Sequence, residues 1–157
     1  MTDGPVEELV EELVSARAEF IAGLEALHPS RLTAPGLVGD WSARELVAHL
    51  GYWAGHAVEM IHAVEGGRAD EVGPGEPSVD ELNETVARVA RQTDLATARR
   101  REAASAQALL ERLGELDPAL LSERLPDGAT LKDGIREDGS EHYREHTSQL
   151  RSSVAPS

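Results

Sequence analysis

Apolar residues in the first part of this chain recur every three or four positions, which is the spacing of an amphipathic α-helix. Such spacing turns one face of the helix toward a core and leaves the other face, here rich in Glu, in water. We therefore predict a first helix that ends near His28 and Pro29. Its apolar stripe consists of Val6, Leu9, Val10, Leu13, Phe20, Ile21, Leu24 and Leu27.

A second helix has the clearest local signal in the sequence. Ser42 and Glu45 have the spacing of a capping box, which predicts that the helix begins at Ser42. Gly66 and Gly67 predict its end. At about 100° per residue, the apolar stripe of this helix includes a histidine, whose imidazole is expected to face the core. The stripe consists of Leu46, His49, Leu50, Trp53, Ala57, Met60, Ile61 and Val64.

The middle of the chain predicts a loop and two more helices. Residues 68–77 are polar and rich in Gly and Pro, so we expect a loop that crosses one end of the bundle. Ser78 and Glu81 repeat the capping-box pattern and open a third helix. The polar stretch 91–94 separates this helix from a fourth, which continues to about Leu116.

A single last helix is expected from about residue 131 to residue 151. Gly134 and Gly139 lie within it, and each costs about 1 kcal/mol relative to Ala in a helix. We expect Gly139 to allow a close neighbour near the histidines that follow. The inward stripe consists of Leu131, Ile135, Gly139, His142, His146 and Leu150.

The composition predicts an all-α fold. The 157 residues fit one domain, 1–157, with a core from about residue 6 to residue 151. Apolar residues make up 40% of the chain but aromatic residues only 3%, so the core must consist mainly of Leu, Val and Ala. Such a core suits packed helices better than sheets. Because the chain has no Cys, disulfides, thiolate catalysis and Cys-ligated zinc are excluded.

The charge and the hydropathy pattern predict the partners and the location. The formal net charge is −14, which should repel a phosphate backbone, so we expect no nucleic-acid partner. No apolar window approaches the roughly 20 residues that span a bilayer, and the N-terminus does not resemble a signal peptide. We expect a cytoplasmic monomer or homodimer with no membrane partner.

Three histidines are the candidate reactive residues. His142 and His146 are four residues apart, so on a helix they lie on one face, one turn apart, and can chelate one ion. His49 faces inward from the second helix. If these helices pack side by side, the three imidazoles converge. The alternative is that they are core histidines paired by hydrogen bonds, because buried imidazoles need partners in either case.

Three-His ligation would leave open coordination positions, as in a catalytic site. A divalent metal such as Zn, Ni or Fe suits nitrogen ligands of this kind. With neutral ligands, the charge of the ion lowers the pKa of a water or a thiol, which favours nucleophilic attack on an electrophile. The alternative is direct acid–base catalysis by the same histidines without a metal. The sequence contains no nucleophile elbow, phosphate loop or dinucleotide fingerprint.

A substrate pocket is predicted around these histidines, with His56 at its edge. His56 follows His49 by seven residues, nearly on the same face but about 10 Å along the helix axis, which is too far to share an ion. We expect a core histidine held by a hydrogen bond, close enough to line the same cavity. The predicted pocket residues are Tyr52, Trp53, His56 and Tyr143.

Two motifs in this chain resemble those of a known superfamily. Residues 41–50 read W-S-A-R-E-L-V-A-H-L, followed by Trp53, and are similar to the W-S-x-x-[DE]-[LV]-[LV]-A-H-L…W signature of the DinB-like four-helix bundles. Residues 141–146 read E-H-Y-R-E-H and resemble the C-terminal H-Y-x-E-H element of the ClbS/DfsB branch. The resemblance extends from about Trp41 to Leu150.

The resemblance implies an antiparallel bundle with crossover connections and possibly one extra short helix. Metal-binding members of the superfamily use one His of the second helix and two of the last, which correspond to His49, His142 and His146. Activities in the superfamily include transfer or isomerisation with low-molecular-weight thiols. The ClbS/DfsB branch is associated with hydrolytic opening of a strained electrophilic ring.

One departure from that branch leaves the substrate open. The branch has aromatic residues in the connector after the second helix, whereas residues 66–75 read G-G-R-A-D-E-V-G-P-G. We therefore predict a detoxifying or self-resistance hydrolase that acts on a small electrophilic molecule. The first alternative is a metal-dependent S-transferase with a thiol cosubstrate of the mycothiol type, which would require added thiol. The second is a non-catalytic protein that sequesters a metabolite.

Overall fold

The computed structural model describes residues 4–73 and 78–154, and this part of the chain is built of α-helices. The only β-pairing within these residues is two isolated bridges, Val38 with Trp41 and Arg124 with Thr130. The all-α prediction is therefore confirmed. The helices are α1 Pro5–Glu25, α2 Ala43–Glu65, α3 Val79–Arg91, α4 Leu95–Glu115, α5 Leu131–Asp138 and α6 Ser140–Val154.

Short 3₁₀ turns occupy parts of the connections between these helices. They span Pro29–Arg31, Ala69–Glu71 and Pro118–Ser122. Residues 74–77 of the predicted 68–77 loop lie outside the described residues. None of the helices in the ranges 4–73 and 78–154 combines the length and the apolar character needed to cross a bilayer.

The helix starts follow the local signals in the sequence. At the start of α2, the Glu45 carboxylate accepts a hydrogen bond of 2.5 Å from the backbone N–H of Ser42. The Ser78 hydroxyl caps α3 by accepting a 3.2 Å hydrogen bond from the N–H of Glu81. Asp94 caps α4, which confirms the predicted separation of the third and fourth helices. These caps satisfy N–H groups that a helix cannot pair internally.

The prediction of one continuous last helix is wrong. α5 ends at Asp138 and α6 begins at Ser140, with Gly139 between them in a non-helical conformation (φ −110°, ψ −106°). A Cβ at Gly139 would lie 2.8 Å from the carbonyl oxygen of Ile135, so only glycine fits there without a shift. The break makes α6, which carries His142 and His146, a helix separate from α5.

The core lies between α1, α2, α4 and α6. α2 packs most extensively on α4, α1 packs on α6, and α3 lies against α2. Gly51 allows the close approach of α2 and α4, because a Cβ at this position would lie 2.9 Å from the Cα of Glu102. The core is mainly aliphatic, and each such side chain contributes roughly 1.5–3 kcal/mol on burial. Fully buried examples are Leu46, Leu50, Ile61, Leu109, Leu113 and Leu131.

A buried polar network connects three of these helices. Arg17 of α1 donates two hydrogen bonds of 2.7 Å, from Nε and Nη2, to the carboxylate of Glu102 in α4. The hydroxyl of Tyr143 in α6 donates to the same carboxylate. Glu102 is only 2% exposed, and these partners satisfy its charge. Because Tyr143 follows His142 directly, the network fixes the rotation of α6 and with it the direction of the histidines.

Candidate metal centre

The three predicted histidines lie together where α2 passes α6. Nε2 of His49 and Nε2 of His142 are 2.8 Å apart, within hydrogen-bond distance. One nitrogen from each of His49, His142 and His146 lies within 4.8 Å of the other two. The inward stripes of two helices that are far apart in sequence thus supply three imidazoles to one place.

Burial keeps these imidazoles neutral. His49 is 5% exposed and His146 is 7% exposed, while His142 is half-buried. Desolvation, reinforced by the neighbouring imidazoles, lowers the pKa of His49 to about 3. Desolvation and the proximity of His146 lower the pKa of His142 to about 4, and desolvation also lowers the pKa of His146. At pH 7 each ring therefore has a lone pair on one nitrogen.

Two buried ring nitrogens have no hydrogen-bond partner among the described residues. Nδ1 of His146 is 2.5 Å from Oε1 of Gln149, a carbonyl oxygen that only accepts, so Nδ1 carries the proton. Within residues 4–73 and 78–154, neither Nε2 of His146 nor Nδ1 of His49 has a hydrogen-bond partner, and both atoms are buried. Buried polar atoms are normally paired, so these two nitrogens are exceptions that a hydrogen-bonding group or, where a lone pair is free, a metal could satisfy.

The histidines open into a cleft of about 440 Å³. Trp53 forms part of its wall, and its indole N–H donates a 2.8 Å hydrogen bond to Oδ1 of Asn83 in α3. This bond fixes the indole against the cleft. The other side chains that line the cleft are Trp41, Val79, Glu137, Asp138 and Glu145.

The predicted pocket residues are distributed over different places. Trp53 lines the cleft, and His56 lines an adjoining cavity, where its Nδ1 is 2.6 Å from Oδ2 of Asp138. The structure does not bring Tyr52 and Tyr143 to the cleft. Tyr52 lines a separate cavity between α2, α3 and α4. Tyr143 is fully buried, because it points from α6 in a direction about 100° away from His142 and reaches Glu102.

The sequence interpretation missed several residues that line the cleft. Asp138 precedes His142 by four residues, a spacing that could have suggested a shared face. Because one continuous helix was expected, the position of Asp138 as the last residue of α5 was not predicted. Asn83 was not assigned to the site, because its contact with Trp53 depends on how α3 packs against α2.

A family model described as the mycothiol maleylpyruvate isomerase N-terminal domain matches residues 13–138 of this chain. No curated protein matches the chain. Among solved structures, the colibactin self-resistance protein ClbS in complex with a double-stranded DNA is similar, with 21% identity and a TM-score of 0.75. The match spans 94% of this chain and 93% of that one.

Two other solved structures are similar over most of this chain. DfsB, described as a sibling lethal factor precursor, has 14% identity and a TM-score of 0.76, with 94% of this chain and 93% of that one matched. The mycothiol-dependent maleylpyruvate isomerase has 16% identity and a TM-score of 0.77. That match spans 94% of this chain but only 61% of the isomerase. At these identities the likeness shows a common fold.

The prediction that excluded nucleic-acid partners is wrong, since ClbS is crystallised with a double-stranded DNA. A net charge of −14 is a sum over the whole chain and does not describe any one surface. The start of α4, for example, contains the consecutive cations Arg99, Arg100 and Arg101.

The family match and the structural likeness identify the same group of proteins. The matched residues 13–138 make up most of the chain and include His49 but not His142 and His146. The expected DinB-like bundle of the ClbS/DfsB type is confirmed by the structures of ClbS, DfsB and the isomerase. This chain belongs to the mycothiol maleylpyruvate isomerase N-terminal domain family and has the DinB-like helical-bundle fold.

Proposed function

We propose that His49, His142 and His146 bind a divalent metal and that the chain uses this centre to modify a small electrophilic molecule. The observation that carries the proposal is that one nitrogen from each of the three imidazoles lies within 4.8 Å of the other two, beside the unpaired and proton-free Nε2 of His146, at the edge of a cleft. An unpaired buried polar atom costs about 1–3 kcal/mol, which a metal bond would offset.

The residues around the cluster fit a metal. The Gln149 carbonyl oxygen holds the proton on Nδ1 of His146, which keeps the Nε2 lone pair available for a ligand bond. Nitrogen ligands suit Zn, Ni or Fe. A divalent cation held by three neutral imidazoles would supply a Lewis acid that lowers the pKa of a water or thiol. Trp41 and Trp53 line the same cleft.

Hydrolysis is the preferred reaction. An oxygen of water would form a bond to an electrophilic carbon, a strained bond to that carbon would break, and the released atom would take a proton from the water. ClbS, whose fold this chain shares over 93% of that protein's length, is described as a self-resistance protein, which is a role that such a reaction would serve. In this chain the product would be a detoxified small molecule.

Thiol transfer is the second candidate, and the matching family model favours it, because that model is named for a mycothiol-dependent isomerase. A sulfur atom would form the new bond to the electrophilic carbon in place of oxygen, and the thiol proton would pass to the released atom. The two candidates share the three-His centre and differ only in the nucleophile.

Product analysis separates the candidates. The untagged protein would be incubated with a simple epoxide, with and without N-acetylcysteine, and the products quantified by mass spectrometry. Diol formation over many turnovers without thiol supports hydrolysis, and turnover only with thiol supports transfer. Consumption of no more than one equivalent in both cases contradicts catalysis and supports sequestration. His142→Ala should abolish turnover, whereas the control His62→Ala, at an exposed residue of α2, should retain it.

A further inference from the structure

The three-His cleft continues past Trp53 into a second cavity. The first space measures about 440 Å³ and the second about 470 Å³. They share the walls formed by Trp53, Val79, Glu137 and Asp138. A molecule that reacts at the histidines can therefore extend along Trp53, and its distant end would contact a different set of side chains.

That set is acidic. Among the described residues, the charged side chains that line the two cavities, besides the histidines, are all carboxylates, and no Lys or Arg lines either one. Arg136 precedes Glu137 but turns away to pair with Glu12 and Glu8 of α1. The carboxylates belong to Asp127, Glu137, Asp138 and Glu145.

These carboxylates are only partly compensated. Asp138 accepts a hydrogen bond from Nδ1 of His56, but within the described ranges no ion pair involves Glu137 or Glu145. Partial burial raises the pKa of Glu137, and the neighbouring carboxylates of Asp138 and Asp127 raise it further. A bound cation would relieve this repulsion.

The aromatic wall adds a second source of attraction for a cation. Trp53 is held in place by Asn83, and an indole face attracts cations more strongly than any other aromatic side chain does. An independent sign of a ligand in the same cleft is His146, which is only 7% exposed and has an unpaired Nε2.

We infer that the substrate of this site carries a positively charged ammonium group, bound between the Trp53 indole and the carboxylate of Glu137, because Asp138 is already paired with His56. This inference rests on the proposed function, because it describes the molecule that reaches the three-His centre. The electrophilic carbon lies at the histidines, and the ammonium group lies beyond Trp53. A dianion such as maleylpyruvate would meet like charge at this place.

Intrinsic fluorescence can test this preference directly. The chain has two tryptophans, Trp41 and Trp53, and both line the cleft. Choline, its neutral carbon analogue 3,3-dimethylbutan-1-ol and the anion 3,3-dimethylbutanoate are matched in shape and would be titrated at constant ionic strength. We expect choline to bind at least about threefold more tightly than the alcohol, and the anion to bind most weakly.

Charge removal provides the matched control. Glu137→Gln should weaken choline binding by about threefold and leave binding of the alcohol unchanged. Glu111→Gln, at a carboxylate of α4 that lines neither cavity, should change neither. The inference is overturned if choline gives no saturable quenching, if the alcohol or the anion binds as tightly, or if Glu137→Gln leaves choline binding unchanged.

This test is separable from the proposed function. Choline binding requires no turnover, so the charge preference would survive a failure of the metal proposal. Likewise, a metal lost in His142→Ala would support the three-His centre even if choline did not bind.

Discussion

Two hydrogen-bonded residues near the histidines of α6 determine the surroundings of these histidines. Asp138, the last residue of α5, accepts a hydrogen bond from His56 at the junction of the cleft and the adjoining cavity. Tyr143, next to His142, donates to the buried Glu102. The hydrogen bond from His56 partly compensates the Asp138 carboxylate. The hydrogen bond from Tyr143 to Glu102 anchors α6, which bears two of the three histidines.

The His56 imidazole should respond to its carboxylate partner. The hydrogen bond with Asp138 raises the pKa of His56 above 6.5, the ordinary value. Asp138→Asn removes the charged acceptor, so the pKa of His56 should fall, as measured by NMR titration of its ring protons. Glu59→Gln, which removes a weaker Coulombic contribution, should lower it less. A pKa of His56 that is unchanged in Asp138→Asn would contradict this assignment.

The Tyr143 hydroxyl should matter for stability. Tyr143→Phe removes a hydrogen bond to a buried carboxylate, and such bonds contribute about 1.5–3 kcal/mol. We expect the free energy of unfolding, measured with urea, to fall by this amount. Tyr52→Phe is the matched control, since no hydrogen bond of the Tyr52 hydroxyl occurs within the described ranges. Equal effects of the two substitutions would show that the buried network does not stabilise α6.

At the scale of elements, close backbone approaches position the site. α2, which carries His49, packs closely on α4. Gly51 lies at that contact. The non-helical backbone at Gly139 separates α6, which carries two of the histidines, from α5. Both features depend on the absence of a side chain.

Substitution of two glycines in α2 tests the close approach. A Cβ at Gly51 would lie 2.9 Å from the Cα of Glu102, which is backbone and cannot move alone, so Gly51→Ala should destabilise the protein by about 1–3 kcal/mol. A Cβ at Gly55 would have its nearest neighbour, Oγ of Ser105, at 3.8 Å. Gly55→Ala should therefore be neutral or stabilising, by up to about 1 kcal/mol. Thermal unfolding of both variants checks the contrast, and destabilisation of similar size would refute it.

The sequence could predict helices and inward faces but not their junctions. Capping residues such as Ser42 and Asp94 act locally, and a histidine in an apolar stripe faces the core whatever the partner helix is. Those signals were sufficient to bring His49 and the α6 pair together. The break at Gly139 is local, since its N–H bonds the Ile135 carbonyl four residues earlier, and it was missed because this glycine was assigned to the inward stripe of one helix. The burial of Tyr143 depends instead on a tertiary contact with Glu102, which no local pattern encodes.

On the scale of the whole molecule, ion pairs connect segments far apart in an acidic chain. Arg136 of α5 forms two 2.9 Å hydrogen bonds with the Glu12 carboxylate of α1. Arg112 of α4 pairs with Glu65 at the end of α2. The net charge of −14 is a sum that does not show this local pairing. For the same reason it does not predict which classes of partner the chain can bind.

The Glu12 pair should make stability depend on pH. The hydrogen bond with Arg136 lowers the pKa of Glu12 below 4.5, so its contribution is present above that value and is lost as the pH falls through the lowered pKa. Glu12→Gln should lower the free energy of unfolding by about 0.5–1 kcal/mol at pH 7. The difference from wild type should shrink as the pH falls below 4.5, whereas the control Glu11→Gln, at an exposed neighbour, should show little difference at any pH. A difference that does not shrink as the pH falls would exclude the ion pair as its source.

The metal content of the untagged protein tests the central claim most directly. Inductively coupled plasma mass spectrometry would be applied to wild type, His142→Ala and the control His62→Ala, with the helical fold of each checked by circular dichroism. We predict near-stoichiometric divalent metal in wild type and His62→Ala and its loss in His142→Ala. Absence of metal in folded wild type, even after incubation with Zn²⁺ or Ni²⁺, would contradict the claim that the three histidines form a metal centre.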